Sequence, residues 1–210
     1  MSSAPLEPSR GTTDQLRELV ADLPAAFRYG RRLDERKARV LSILDIYQHR
    51  ALSARAELVE VGILDGAMAV RRLRPDVVLV QTTGATEHTA WAGKIATGSR
   101  VNDHLAQLVD AAKESGVRVV VLCTAVPDAL ADHSGLLALA DLVISPRSDT
   151  SAVLRSREDL GGRLLTGSDA VERFGPRSTT RDDDPVLRVL VETFCAAALN
   201  GAAAPAGGPR

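Results

Sequence analysis

The densest collection of groups that could do chemistry lies between Gln81 and Ser99: Thr82, Thr83, Gly84, Glu87, His88, the single tryptophan Trp91, Gly93, Lys94 and Ser99. Hydroxyls, an amide, a carboxylate and a cation along one long loop suit an alcohol, a sugar ring or a phosphate, with Trp91 stacking on an apolar sugar face. Ligand contacts are expected from Gln81, Thr82, Thr83, Gly84, Trp91 and Lys94, and from Cys123 and Thr124 at the end of a later apolar run. Asp45, closing the run Arg39 to Asp45, and Glu87 are the candidate general bases, because a partly desolvated carboxylate at a sheet edge titrates closer to neutrality. Against each stands a plainer role: a helix cap for Asp45, a buried structural thiol for Cys123, a plug at the sheet end for Trp91.

Other chemistries find less support. His49, His88, His104 and His133 are scattered singly, so no metal site is expected. Thr97-Gly98-Ser99-Arg100 before a helix could present backbone N–H groups to an anion, but Ser99 as a plain N-cap is the favoured reading. No Walker-type loop and no dinucleotide-type glycine fingerprint follows any apolar run, and no cofactor is expected.

These residues need a scaffold. Val77-Val78-Leu79-Val80 is an unbroken β-branched run without polar alternation, as a strand covered on both faces requires. Val117 to Leu122 repeats it after a helix predicted over Val101 to Ser115, whose Val101, Leu105, Leu108, Val109 and Ala112 share one stripe. Further strands are predicted at 39–45, 56–61, 142–145 and, at the edge, 163–166. Helices are predicted over 63–73, from Pro127 through Leu139, over 150–158 and over 185–199, with Tyr47 to Arg55 a polar connection. The alternation predicts an α/β fold: a doubly wound, mostly parallel sheet with flanking helices. Residues 12–199 are expected to form one domain, opening with a helix from Asp14, between a disordered leader (1–11) and a flexible tail (200–210).

The 210 residues carry 26 basic and 27 acidic side chains, a net charge of −1, so no global field favours nucleic acid. Two cysteines, no apolar run near the roughly 20 residues needed to span a bilayer and no signal-peptide pattern point to a reducing cytoplasm without membrane insertion.

The order Val40-Leu41-Ser42-Ile43-Leu44-Asp45, Glu57-Leu58-Val59-Glu60-Val61, Leu73-Arg74-Pro75-Asp76-Val77-Val78-Leu79-Val80-Gln81 and Ala90-Trp91-Ala92-Gly93-Lys94-Ile95 resembles the N-terminal domain of CgeB-like, spore-maturation-type glycosyltransferases. Gly116 to Leu122 and Ala140 to Ser145 match its later strands, so the resemblance covers about residues 38 to 170. It implies a Rossmann-like, acceptor-side half of a GT-B enzyme, with the nucleotide sugar held by a second domain for which the chain has no room. Where the family has an acidic residue and an aromatic after the central strand, this chain has Gln81-Thr82-Thr83; a charged loop is replaced by Cys123-Thr124-Ala125-Val126. Lost charges argue for an accessory or recognition module paired with a separate nucleotide-sugar-binding subunit. The alternatives are a compact stand-alone transferase using the 81–99 loop, and a non-catalytic protein that self-associates as a homo-oligomer.

Overall fold

The computed structural model describes residues 37–82, 91, 93–174, 186 and 188–193. Chain order runs β1 (Arg39–Ile43), α1 (Ile46–Ser53), β2 (Glu57–Glu60), α2 (Gly66–Leu73) and β3 (Val77–Gln81). A two-stranded hairpin follows, β4 (Ala96–Thr97) and β5 (Arg100–Val101), then α3 (Asp103–Glu114) and β6 (Arg118–Leu122). A 3-10 segment (Pro127–His133) leads into α4 (Ser134–Leu139), β7 (Leu142–Ser145) and α5 (Ser148–Arg155). Another 3-10 segment (Glu158–Arg163), β8 (Leu164–Thr166) and α6 (Gly167–Phe174) complete the labelled elements. Residues 186 and 188–193 are helical. The leader, the helix expected from Asp14, Thr83, Gly84, Glu87 and the tail lie outside the described residues.

Six strands form one sheet in the order β2-β1-β3-β6-β7-β8, and every pairing within it is parallel. The side chains divide as the period of two demands. Leu41, Ile43, Val78, Val80, Val119 and Val121 face one layer, with Val70 of α2, Leu105 and Leu108 of α3 and Leu136 of α4. Val40, Val77, Leu79, Val120 and Leu122 face the other, with Leu52 of α1, Ala170 of α6 and Val189 and Leu190. With apolar layers on both faces, the central strands have no polar face to show, and the sheet is a doubly wound, Rossmann-like one.

A repeated device at the amino edge explains two aspartates. Asp76 donates its N–H to the Arg39 carbonyl (2.8 Å) and accepts the Arg39 N–H on its carboxylate (2.7 Å). Asp141 does the same with Val119, at 2.8 Å each way. A side chain thus stands in for the next backbone rung, so the ladder ends without an orphaned donor.

Three expectations need correction. Tyr47 to Arg55 is mostly the helix α1, because Asp45 accepts the Gln48 N–H (2.7 Å) and so caps it; only Leu52 of that helix is buried, which leaves little apolar periodicity to read. Val101 belongs to β5 and not to the following helix, whose N-cap is Asn102. Ser99, expected as that cap, lies in the turn between β4 and β5, where Gly98 takes a positive φ of 60°.

Candidate functional site

In an open parallel sheet a crevice forms where consecutive connections leave in opposite directions. Here the chain leaves β1 towards β2 on one side, then crosses back to β3 and continues to β6, so the switch point lies between the carboxyl ends of β1 and β3.

Asp45 follows β1 and Gln81 ends β3, and the two are bound to each other. Gln81 Nε2 donates to Asp45 Oδ2 (2.9 Å), and the Asp45 N–H donates to Gln81 Oε1 (3.1 Å). Gln81 Nε2 also lies 3.3 Å from Thr124 Oγ1, beyond the end of β6. Thr82 continues the chain of contacts, its hydroxyl accepting the N–H groups of Thr124 and Ala125 at 3.1 Å each. Four polar residues therefore link the ends of β1, β3 and β6 into one crest, and its members are mutually satisfied rather than merely solvated.

The expected site residues divide accordingly. Gln81 and Thr82 are 2% and 3% exposed, so Gln81 is a clamp that orients Asp45 and Thr124, while Thr82 orders the turn after β6 and also lines a cavity. Asp45 is half-buried, with each carboxylate oxygen already accepting an N–H; it caps α1 and anchors Gln81. Thr124 is half-buried and Lys94 exposed.

Two expectations fail on burial. Trp91 is 1% exposed, and its indole N–H donates to the Val61 carbonyl at 2.6 Å. The ring belongs to the buried apolar layer that also holds Ile43, Val80 and Ile95, so it closes the sheet end and offers no face to a sugar. Cys123 is wholly buried and its thiol pKa is raised by desolvation, against which the Ala125 N–H, the Thr82 hydroxyl and the charge of Arg157 act more weakly. Its burial keeps it from a ligand in the crevice and disfavours the reactive thiolate.

Beside Thr82 opens a cavity of about 350 Å³, lined by Thr82, Gly93, Ile95, Thr97, Asp132 and His133 among others. That volume falls in the range that holds small ligands. His133 is half-buried, its pKa lowered by desolvation against the weaker pull of Asp132, and it closes the 3-10 segment after β6. Asp132 and His133 do not read as site residues in the sequence because the stretch through Leu139 reads as one continuous helix, while Thr97 reads only as part of the Thr97 to Arg100 cap segment. The hint was there in Pro127-Asp128-Ala129-Leu130-Ala131-Asp132-His133, whose polar end follows a central strand at the ligand-bearing edge.

A second cavity of about 310 Å³ lies by α5 and β8, lined by Arg155, Arg157, Glu158, Thr166 and Asp169 among others. Its two arginines are held by neighbouring groups. Arg155 bonds Thr166, Ser168 and Asp169, and Arg157 forms a bidentate pair with Asp159. Among the described residues no cluster of three or more His, Cys, Asp or Glu could hold a metal ion, and no helix is long and apolar enough to cross a membrane.

No protein-family model matches the chain, and no curated protein is significantly similar to it. The geometry of the crest and its cavity therefore carries the functional reading alone.

Proposed function

We propose that this protein is a recognition module for a small polyhydroxylated ligand, a saccharide or glycoside, bound at the carboxyl edge of the sheet. The observation that carries the reading is the Asp45–Gln81–Thr124–Thr82 crest at the switch point, continuous through Thr82 with a cavity that also holds the Thr97 hydroxyl, the Asp132 carboxylate and the His133 ring. A fixed crest holds polar groups in place before a ligand arrives, which lowers the ordering cost of binding. Neutral saccharides exchange hydroxyl–water bonds for bonds to such groups, and a pocket of mixed donors and acceptors suits them better than one of a single charge.

The same reading supplies the acceptor-side half of a sugar-transfer system. Asp45 caps α1, and Cys123 and Trp91 are buried, which favours holding an acceptor at this edge. Transfer would then require a nucleotide-sugar-binding subunit facing this rim, in the cytoplasm where nucleotide sugars are made. Exposed Ile46, Tyr47, Leu64 and Val126, which follow β1, β2 and β6 on that rim, are compatible with such a neighbour.

Isothermal titration calorimetry with a panel of methyl glycosides tests the reading. The wild-type chain is expected to bind at least one of them, and Asp132→Ala, a change at an exposed side chain, to weaken that binding roughly tenfold, equivalent to about 1.4 kcal/mol. The purified chain alone is expected to turn over no nucleotide sugar. Turnover without a partner, or a panel that gives no heat, contradicts it.

A further inference from the structure

His133 has a feature no other described side chain of the crest or its cavity shares. Its ring lines the cavity, yet its Nδ1 atom is buried without a hydrogen-bond partner. A buried N–H with no acceptor is costly, and rarer in proteins than a buried lone pair left idle. The neutral ring therefore keeps its lone pair on Nδ1 and its proton on Nε2, because the two nitrogens of a neutral imidazole must differ. Full protonation would place an N–H on Nδ1 as well, and the half-buried ring resists it: its pKa is lowered by desolvation, with Asp132 the acidic residue that acts against this. Among the described residues that line the cavity, no other side chain is titratable.

From this we infer that His133 is a fixed, neutral hydrogen-bond donor through Nε2–H, and that with the adjacent Asp132 carboxylate it recognises a pair of neighbouring hydroxyls on the ligand. One hydroxyl oxygen accepts from His133 Nε2, while the next hydroxyl donates to Asp132. Such a donor beside an acceptor selects a vicinal diol over an isolated alcohol and over an anion, because Asp132 repels negative charge. The inference rests on the saccharide reading above and narrows it to ligands that carry a vicinal diol.

The test uses the full chain with ¹⁵N-labelled histidine and long-range ¹H–¹⁵N spectra at pH 7, His133 being assigned by its loss in His133→Gln. The free protein is expected to show the Nε2–H tautomer for His133, with a titration midpoint below the ordinary 6.5. Adding a methyl pyranoside is expected to shift the Nε2 resonance, whereas its 2,3-dideoxy analogue leaves it in place. His133→Leu is expected to weaken pyranoside binding about tenfold, and His133→Gln, whose amide nitrogen can stand near the site of Nε2, to retain most of it. An Nδ1–H tautomer, or pyranoside binding that His133→Leu leaves intact, overturns the inference while the saccharide reading stands. Absence of pyranoside binding by the wild-type chain overturns both.

Discussion

Trp91 shows how one side chain can carry opposite meanings at the residue scale. Within a polar loop, a lone tryptophan has the composition of a sugar platform. In the fold it is 1% exposed, with its only polar atom satisfied by Val61. Sequence supplies the residue type but not its burial, which depends on the apolar layer that residues distant in the chain, Ile43 and Val80 among them, build together. The prediction is correspondingly sharp. Trp91→Phe removes the donor and leaves the Val61 carbonyl without it, and is expected to lower stability by about 1–3 kcal/mol in urea unfolding. A loss within about 0.5 kcal/mol, the usual range for surface changes, would mean that the indole is not a core residue. Asp45 teaches the converse lesson: its placement at a strand end was readable, and so was its alternative role as a cap, but only the bond to Gln81 shows that the carboxylate serves α1 and the clamp together.

Among elements, legibility followed apolar patterning. The central strands were plain because Val77 to Val80 and Val119 to Leu122 must be covered on both faces, and the strand read at 142–145 is β7. The helix α1 was hidden because it buries a single residue, and the β4–β5 hairpin because two-residue strands are too short to show alternation. That hairpin is nevertheless held tightly. Gly135 at the start of α4 donates its N–H to Gly98 O at 2.9 Å, and a Cβ on Gly135 would fall 2.6 Å from Ser99 O. Close backbone approach, not an unusual φ, is why glycine stands there. Gly135→Ala is expected to cost about 1–3 kcal/mol by forcing the hairpin off α4, while Gly162→Ala, where a Cβ would meet nothing within 4 Å, serves as the neutral control. Equal effects of the two substitutions in chemical denaturation would refute the packing of hairpin on helix.

For the whole molecule, strand order matters more than any one residue. The order β2-β1-β3-β6-β7-β8 creates one switch point, and it brings Asp45, Gln81 and Thr124 together although 36 and 43 residues separate the bonded pairs. Strand–helix alternation made a parallel sheet readable, and with it the edge where polar residues gather; the identity of the residues that line the cavity needed the path of the chain after β6. Thr97, Asp132 and His133 meet there from the hairpin and the 3-10 segment, a meeting that no local spacing encodes. The amino edge, by contrast, is closed by Asp76, Asp141 and the buried Arg39–Glu57 pair at 2.9 Å, and is built for stability.

The most direct test is a map of amide chemical shifts as the ¹⁵N-labelled chain is saturated with a methyl pyranoside. The expected result is a contiguous set of shifted amides at Thr82, Gly93, Thr97, Thr124, Asp132 and His133, with β8 and α6 unmoved. Shifts centred instead on Arg155, Thr166 and Asp169, or none at saturating saccharide, would contradict the assignment of the switch-point edge as the binding site.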